Sequence, residues 1–577
     1  MTQAVQIKEK PWGREVWYAV TDSYAGKILE VHAGHALSLQ YHRQKKETLY
    51  FRRGKGKLQL GNRFLTIGPG LSVTVEPGTP HRVEAETDLE ILEVSTPHLD
   101  DVVRLLDRYG RGDDSLPALS PEIFREYDIR GVYGKNLTVK TARLIGRAFG
   151  LLAREKGHGE VLVGHDNRRS SPDLYQSLIL GLTEAGVDVL AIGQVVSPVL
   201  YWARIFYGID PAVMVTASHN PPDENGFKIC LGRGTMYGAD IQDLRVRAQE
   251  AESMTCTERI GAKREANPIT AYTEMIAGKI ALRRPLKVVL DAGNGSAGPI
   301  APALFRRLGC EVIELYCDSD PSFPNHHPDP VQPKNLQDLI RKVREHQADL
   351  GLAFDGDADR LGVVDDQGQI LWGDQLMILF WREILPRFPG AVALVEVKCS
   401  QALVEEIERL GGKPLFYRTG HSYIKAKLHE LGGPFAGEMS GHLFFADGYH
   451  GFDDALYAGA RLCRLIAQSD RPLSQLWADT PRYPSTPEIR IDCPEDKKEA
   501  VVSAVREHFR SRYPVLDVDG ARVQFPGGWG LVRASNTQPV LVLRCEGRTT
   551  ADLESIKREM EAALRPFSEL GPLSWGA

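Results

Sequence analysis

The α/β reading of this chain starts at "LKVVLDAGNGSAG", Leu286 to Gly298. Leu286, Val288, Val289 and Leu290 make a short apolar run, and the Gly, Asn and Ser after it end that run in a loop. An apolar run closed by turn residues is a strand feeding an exposed loop. The same phrase, strand then polar loop then helical spacing, recurs as "VLVGHDN" (Val161 to Asn167) and "AVALVEVKCSQAL" (Ala391 to Leu403). Strands alternating with helices imply parallel sheets. Three such phrases predict three related mixed α/β domains, near residues 121–262, 263–372 and 373–486. Residues 487–577 mix strands with two helical stretches, "KKEAVVSAVREHF" and "ADLESIKREMEAAL", and read as a smaller α+β domain.

Residues 1–109 have another rhythm. "GKILEVH", "ALSLQYH", "ETLYFRR", "KLQL", "SVTVEP" and "LEILEVS" are short strands separated by "RGKG", "GPG" and "PGTP". That succession predicts a sandwich or barrel. A helix over "LDDVVRLLDRYG" is expected to close the unit, with a linker over 110–120. The chain has 577 residues, 42% hydrophobic and 25% charged, an ordinary globular composition long enough for about four domains. A formal net charge of -6 argues against a nucleic-acid partner. The eight cysteines never fall as Cys-x-x-Cys, which fits reduced thiols. "MTQAVQIKEKPWGREVW" lacks the apolar core of a signal peptide, and "VLAIGQVVSPVLYWARIFYGI" is too interrupted to span a bilayer. A cytoplasmic location without membrane contact is the expectation.

Chemistry concentrates in a few loops. "MVTASHNPPDENGFKIC", Met214 to Cys230, runs from an apolar strand into Ser218 and His219, with Lys228 ten residues beyond the serine. In "LGLAFDGDADRLG" a strand runs into Asp355, Asp357 and Asp359, followed by Arg360. Three carboxylates at alternate positions repel unless a cation lies between them, and oxygen-only ligands suit Mg²⁺ better than zinc. "FAGEMSGHLFF" sets Glu438, Ser440 and His442 in a Gly-flanked loop that fits sugar hydroxyls. "WGLVRASNTQPVLVLRCEG" offers Arg533, Ser535, Asn536 and Thr537 in one turn, a set that suits a phosphate.

With "YDIRG" (Tyr127 to Gly131), "TASHNP", "DGDADR", "GEMSGH" and "RASNTQP" in that order, the region from about 121 to 577 resembles the α-D-phosphohexomutases. "GEMSGH" with "NGFK" looks most like the phosphomannomutase/phosphoglucomutase branch. The resemblance implies four domains around a central cleft. It implies a phosphorylated Ser218, with Mg²⁺ held by its oxygen and by Asp355, Asp357 and Asp359. Lys228, His219 and His421 become acid/base candidates, and Arg130 and Arg360 assist the phosphoryl group. Tyr127, Lys398, Glu438, Ser440 and His442 join the C-terminal loop in binding hexose phosphates, through a bisphosphorylated sugar intermediate.

The N-terminal unit holds "LSLQYHRQKKETLYF" and "VEPGTPHRVE". Gln40 and His42 share one face of a strand, Glu47 begins the next, and His81 follows a Pro-Gly turn. Such a set could bind zinc or another divalent transition metal. "KPWGRE" and "LSLQYH" resemble the cupins, specifically the isomerase part of type II mannose-6-phosphate isomerases. That resemblance implies a metal on Gln40, His42, Glu47 and His81, phosphate contacts from Arg82 and Lys10, and a homodimer through the cupin strands. The isomerase pattern usually has His directly after the Glu, where this chain has Thr48. Three readings follow: a mutase fused to an isomerase feeding GDP-mannose synthesis; a mutase with a sugar-phosphate-binding or regulatory cupin; a scaffold without catalysis.

Overall fold

The computed structural model describes residues 4–61, 63–109, 119–232, 234–253, 259–535 and 538–575. The N-terminal unit is built from two antiparallel sheets. One orders Gln6–Lys10, Gly13–Val20, Ala25–Val31, Leu89–Ser95, Glu47–Arg53 and Ser72–Val75; the other orders Val103–Leu106, Leu39–Tyr41, His81–Ala85, Gly56–Leu60 and Arg63–Ile67. Alternation along each strand drives the packing. In Leu89–Ser95, Leu89, Ile91, Glu93 and Ser95 point inward, and the apolar ones join Leu29, Phe51, Leu58 and Val83 in one core.

The helix expected over "LDDVVRLLDRYG" does not form. Val103–Leu106 instead pairs antiparallel with Leu39–Tyr41. Leu105 packs with Leu39, Tyr41 and Leu180 of the following domain, so a neighbour absent from the local sequence selects the strand. Short apolar runs are ambiguous in just this way.

The three α/β domains share one strand plan. In the first, Glu160–His165 pairs parallel with Asp188–Gln194 and with Ala212–Val215, and Ala212–Val215 pairs antiparallel with Glu224–Leu231. In the second, Lys287–Asp291 pairs parallel with Glu311–Leu315 and Leu350–Phe354, and Leu350–Phe354 pairs antiparallel with Leu361–Asp365. In the third, Val392–Glu396 pairs parallel with Lys413–Tyr417 and Phe435–Gly437, and Phe435–Gly437 pairs antiparallel with Leu443–Phe445. Lys263–Glu265, beyond the expected boundary at 262, joins the first sheet beside Asp188–Gln194. The loops carrying Ser218, the three aspartates and Glu438 therefore occupy one topological position in three sheets. A single apolar core, including Met214, Leu352, Leu361, Val395, Phe435 and Leu456, runs through all three domains. The C-terminal domain lays Lys498–Arg510 and Thr550–Leu564 on an antiparallel sheet whose centre is Gly528–Ala534 and Val540–Gly547. Among the described residues no helix is long and apolar enough to cross a membrane.

Candidate active site

Two of the equivalent loops meet face to face. Ser218 and Ala358 both adopt left-handed backbone, at φ 52° and 59°. Such conformations cost of order 1–3 kcal/mol and persist only where the surroundings impose them. The imposition here is close approach: a Cβ on Gly356 would lie 2.3 Å from the Ser218 carbonyl oxygen. Ser218 Oγ donates to Asp355 Oδ2 at 2.7 Å, and His219 Nδ1 stands 3.1 Å from the same oxygen. The buried Arg168 donates to the carbonyls of Ser218 (2.7 Å), Asn220 (2.6 Å) and Pro221 (2.6 Å), tying the serine loop to the first strand phrase. The second phrase contributes too: Asn167 N donates to Ser296 Oγ, and Ser296 N to Gly356 O, both at 3.0 Å.

Asp355, Asp357 and Asp359 are fully buried and each places a carboxylate oxygen within 4.8 Å of the others. Asp357 Oδ1 and Asp359 Oδ1 have no hydrogen-bond partner. Converging acceptors with orphaned lone pairs fit a hard divalent cation. Lys228 Nζ lies against this cradle, 2.6 Å from Asp357 Oδ2 and 2.5 Å from Asp359 Oδ2. Burial opposes its charge, but Asp357 and Asp359 outweigh that and raise its pKa. A lysine held as ammonium in this way can donate a proton, one of the two parts expected of it. Asp355 is pushed up by burial and by the neighbouring Asp359 and Asp357.

Around the cradle lies a basic shell. Arg130 Nε donates to Asp128 at 2.6 Å and its Nη1 to Asn220 Oδ1 at 2.5 Å. Arg360 Nε donates to His442 Nε2 at 3.0 Å, and its Nη1 is 3.4 Å from His219 Nε2. His442 Nδ1 and His421 Nδ1 face Asp453 Oδ2 at 3.1 and 3.4 Å, while Lys425 Nζ takes Asp453 Oδ1 at 2.9 Å. Burial and the Lys425 ammonium push His421 down to about 4, and burial with Arg360 and Arg130 lowers His219. Both imidazoles are therefore neutral near pH 7. Tyr127 stands edge-on to His421 at 5.5 Å.

Glu438 Oε1 accepts from Gly420 N at 2.6 Å, and Ser440 Oγ lies 3.5 Å from its Oε2. Lys398 Nζ donates to Glu488 Oε2 at 3.0 Å. Arg533 Nε donates to Asp519 Oδ2 at 2.9 Å, and its buried Nη2 has no partner. Ser535 Oγ accepts from Gln538 N at 3.2 Å. Asn536 and Thr537 lie outside the described residues.

These groups line one cleft of about 500 Å³, with Arg130 and Ser218 from the first domain, Arg360 from the second, Lys398 and Glu438 from the third and Arg533 from the fourth. Asp355 and Asp357 sit behind its wall. Sequence reasoning missed Arg168, Asp453, Lys425 and Asp519. Only Arg168 had a local signal, "GHDNRRSS" at the end of a strand phrase.

In the N-terminal unit His42, Glu47 and His81 gather, all buried. His81 Nε2 is 3.0 Å and His42 Nε2 3.4 Å from Glu47 oxygens, without hydrogen-bond geometry. Each ring turns its Nδ1 to a backbone carbonyl, His42 to Asp101 and His81 to Thr79 (3.0 Å). With the proton on Nδ1, each Nε2 is an acceptor facing a carboxylate acceptor, an arrangement a metal cation relieves. Gln40 stands opposite His81 in the strand pairing, its Oε1 engaged by Ser38 at 2.8 Å. The buried Lys45 ammonium reaches Glu47, and Glu93 at 2.6 Å. Arg82 pairs with Glu84 and Lys10 with Glu15.

Four family models for the phosphoglucomutase/phosphomannomutase domains match this chain: α/β/α domain I over 121–253, domain II over 270–368, domain III over 372–483 and the C-terminal domain over 488–563. A cupin domain model matches residues 27–95. The chain is similar to the phosphomannomutase/phosphoglucomutase of Pseudomonas aeruginosa, 47% identical over 458 residues, 79% of this chain and 98% of that protein. It is similar to the phosphoglucomutase of Neisseria meningitidis serogroup A, 45% identical over 449 residues, 77% of this chain and 97% of that protein. Among solved structures, a phosphoglucomutase/phosphomannomutase family protein from Burkholderia thailandensis superposes with a TM-score of 0.74 at 45% identity, over 79% of this chain and all of that one.

Proposed function

The chain belongs to the phosphoglucomutase/phosphomannomutase family, and on that premise we propose that it interconverts hexose 6-phosphates and hexose 1-phosphates through a phosphorylated Ser218. The observation carrying this reading is the 2.7 Å contact between Ser218 Oγ and the aspartate cradle, at the wall of a cleft that all four domains line. Asp355, Asp357, Asp359 and the serine oxygen would hold Mg²⁺, which neutralises charge on a transferring phosphoryl group. In the first half, the bond from phosphorus to Ser218 Oγ breaks as one forms to the free sugar hydroxyl. Lys228, His219 and His421 are the acid/base candidates at the sugar hydroxyl. Arg130 and Arg360 balance the phosphoryl charge. The bisphosphate then turns over, and its other phosphoryl group returns to Ser218. Arg533, with its free Nη2, and Ser535 grip the non-reacting phosphate, while Glu438, Ser440 and Lys398 read sugar hydroxyls. Charge-assisted hydrogen bonds contribute about 1.5–3 kcal/mol each, and remote binding of that size orients the reacting end.

For the N-terminal unit the reading is a metal-dependent interconversion of fructose 6-phosphate and mannose 6-phosphate, supported by the orphaned imidazole nitrogens around Glu47. Lys45 on Glu47 favours a second reading, a cupin that binds sugar phosphate without turning it over. One set of assays tests all of this. Mannose 1-phosphate and glucose 1-phosphate should be converted by the wild type and not by Ser218→Ala, and fructose 6-phosphate should yield mannose 6-phosphate with both. Retained mutase turnover in Ser218→Ala overturns the phosphoserine; no mannose 6-phosphate from either protein leaves the binding cupin.

A further inference from the structure

The strand that carries two of the cupin's expected ligands also carries its contact with the mutase. Alternation along Leu39–Tyr41 and the residues after it sends Gln40 and His42 to one side and Tyr41 and Arg43 to the other. On that other side waits Asp173, buried in the first turn of helix Ser171–Glu184. Tyr41 Oη donates to Asp173 Oδ1 at 2.5 Å. Arg43 donates through Nε to Oδ1 at 3.1 Å and through Nη2 to Oδ2 at 2.5 Å, and Tyr133 Oη completes the set at 2.8 Å. A buried carboxylate with four donors, two of its three partners from the other domain, is a costly contact to break.

Both ends of this latch lead to a site. On the cupin side Asp101 accepts from the backbone of Arg43, Gln44 and Lys45 at 2.6–3.0 Å, and its carbonyl holds His42 Nδ1. One residue, Asp101, thus holds both the His42 ring and the segment bearing Arg43. On the mutase side Ser171 Oγ, at the start of the same helix, donates to Asp166 Oδ1, which also accepts from Arg168 N at 3.0 Å. Arg168 is the residue that holds the Ser218 loop by its carbonyls.

We propose that Asp173 couples the two sites, so that metal occupancy at His42, Glu47 and His81 and phosphorylation of Ser218 alter each other's free energy. The proposal rests on the metal reading of the cupin given above. Coupling between binding sites is reciprocal, and factors of about 5–150 are usual.

The test uses the full-length protein with saturating Mg²⁺, in phosphorylated and dephosphorylated Ser218 forms separated by intact mass. Zn²⁺ is titrated in competition with a chromophoric chelator. The expected result is a Zn²⁺ affinity that differs at least about fivefold between the two forms in the wild type, and less than about twofold in Asp173→Asn. Should Asp173→Asn not fold, Tyr41→Phe with Arg43→Met makes the same cut from the cupin side. Equal affinities in the wild type, or an unchanged ratio in the variants, overturn the coupling while leaving the metal site standing. No Zn²⁺ uptake attributable to His42 and His81 overturns the metal reading and the coupling together.

Discussion

Lys228 shows how far a side chain's chemistry depends on its neighbours. Its ammonium lies 2.6 and 2.5 Å from two carboxylates of the cradle, which hold it positively charged against them. That leads to a prediction about chelation. Removing divalent metal with EDTA should abolish mutase turnover yet shift the thermal midpoint by less than about 2 °C, because the ammonium still screens the carboxylates. A fall of 10 °C in a melting scan would mean that the lysine does not carry this charge. Glycine 356 makes the complementary point about space. With 2.3 Å between a would-be Cβ and the Ser218 carbonyl, Gly356→Ala must drive the two loops apart. Steady-state kinetics should show kcat reduced about 10²-fold or more, as expected of a misplacement near 1 Å. An unaltered kcat would show that the loops need not touch.

Equivalent strands explain why the functional loops find one another. Ala212–Val215, Leu350–Phe354 and Phe435–Gly437 each close a parallel set and open an antiparallel hairpin, so their loops leave matching edges of three sheets. The repeated phrase marked their parallel neighbours, Glu160–His165, Lys287–Asp291 and Val392–Glu396, while separate apolar runs made the strands before Ser218 and the aspartates legible in advance. The helix expected near residue 105 failed for a related reason. Val103 and Leu105 have the alternation of a strand within a pattern that also has helical spacing, and only Leu39, Tyr41 and Leu180 settle which period counts. No spacing rule pointed to what Arg168 and Asp453 do, although Arg168 closes a strand phrase: they act on Ser218, 50 positions away, and on His421, 32 away.

The assembly keeps two clusters of polar side chains apart on one chain. His42, Glu47 and His81 sit inside the N-terminal sheets, and the phosphoryl-transfer cleft takes its lining from the other four domains. His42→Ala with His81→Ala should lower bound transition metal at the cupin to zero and end the conversion of fructose 6-phosphate, with mutase turnover kept within about tenfold, the margin that the Asp173 contact allows. Metal analysis beside both assays checks this, and isomerisation surviving in the metal-free double variant would exclude the metal mechanism.

Linear patterns were enough for the domain kinds and for the strands that lead to Ser218 and the aspartates, because strand periodicity and turn chemistry are local properties; the resemblance to a family supplied most of the residues expected at the cleft. Three things needed the folded chain: the pairing of Lys228 with Asp357 and Asp359, the docking of the cupin on Asp173, and the meeting of loops from four domains. Each depends on groups far apart in the chain being buried together, and burial strengthens charge interactions that no spacing along a strand encodes.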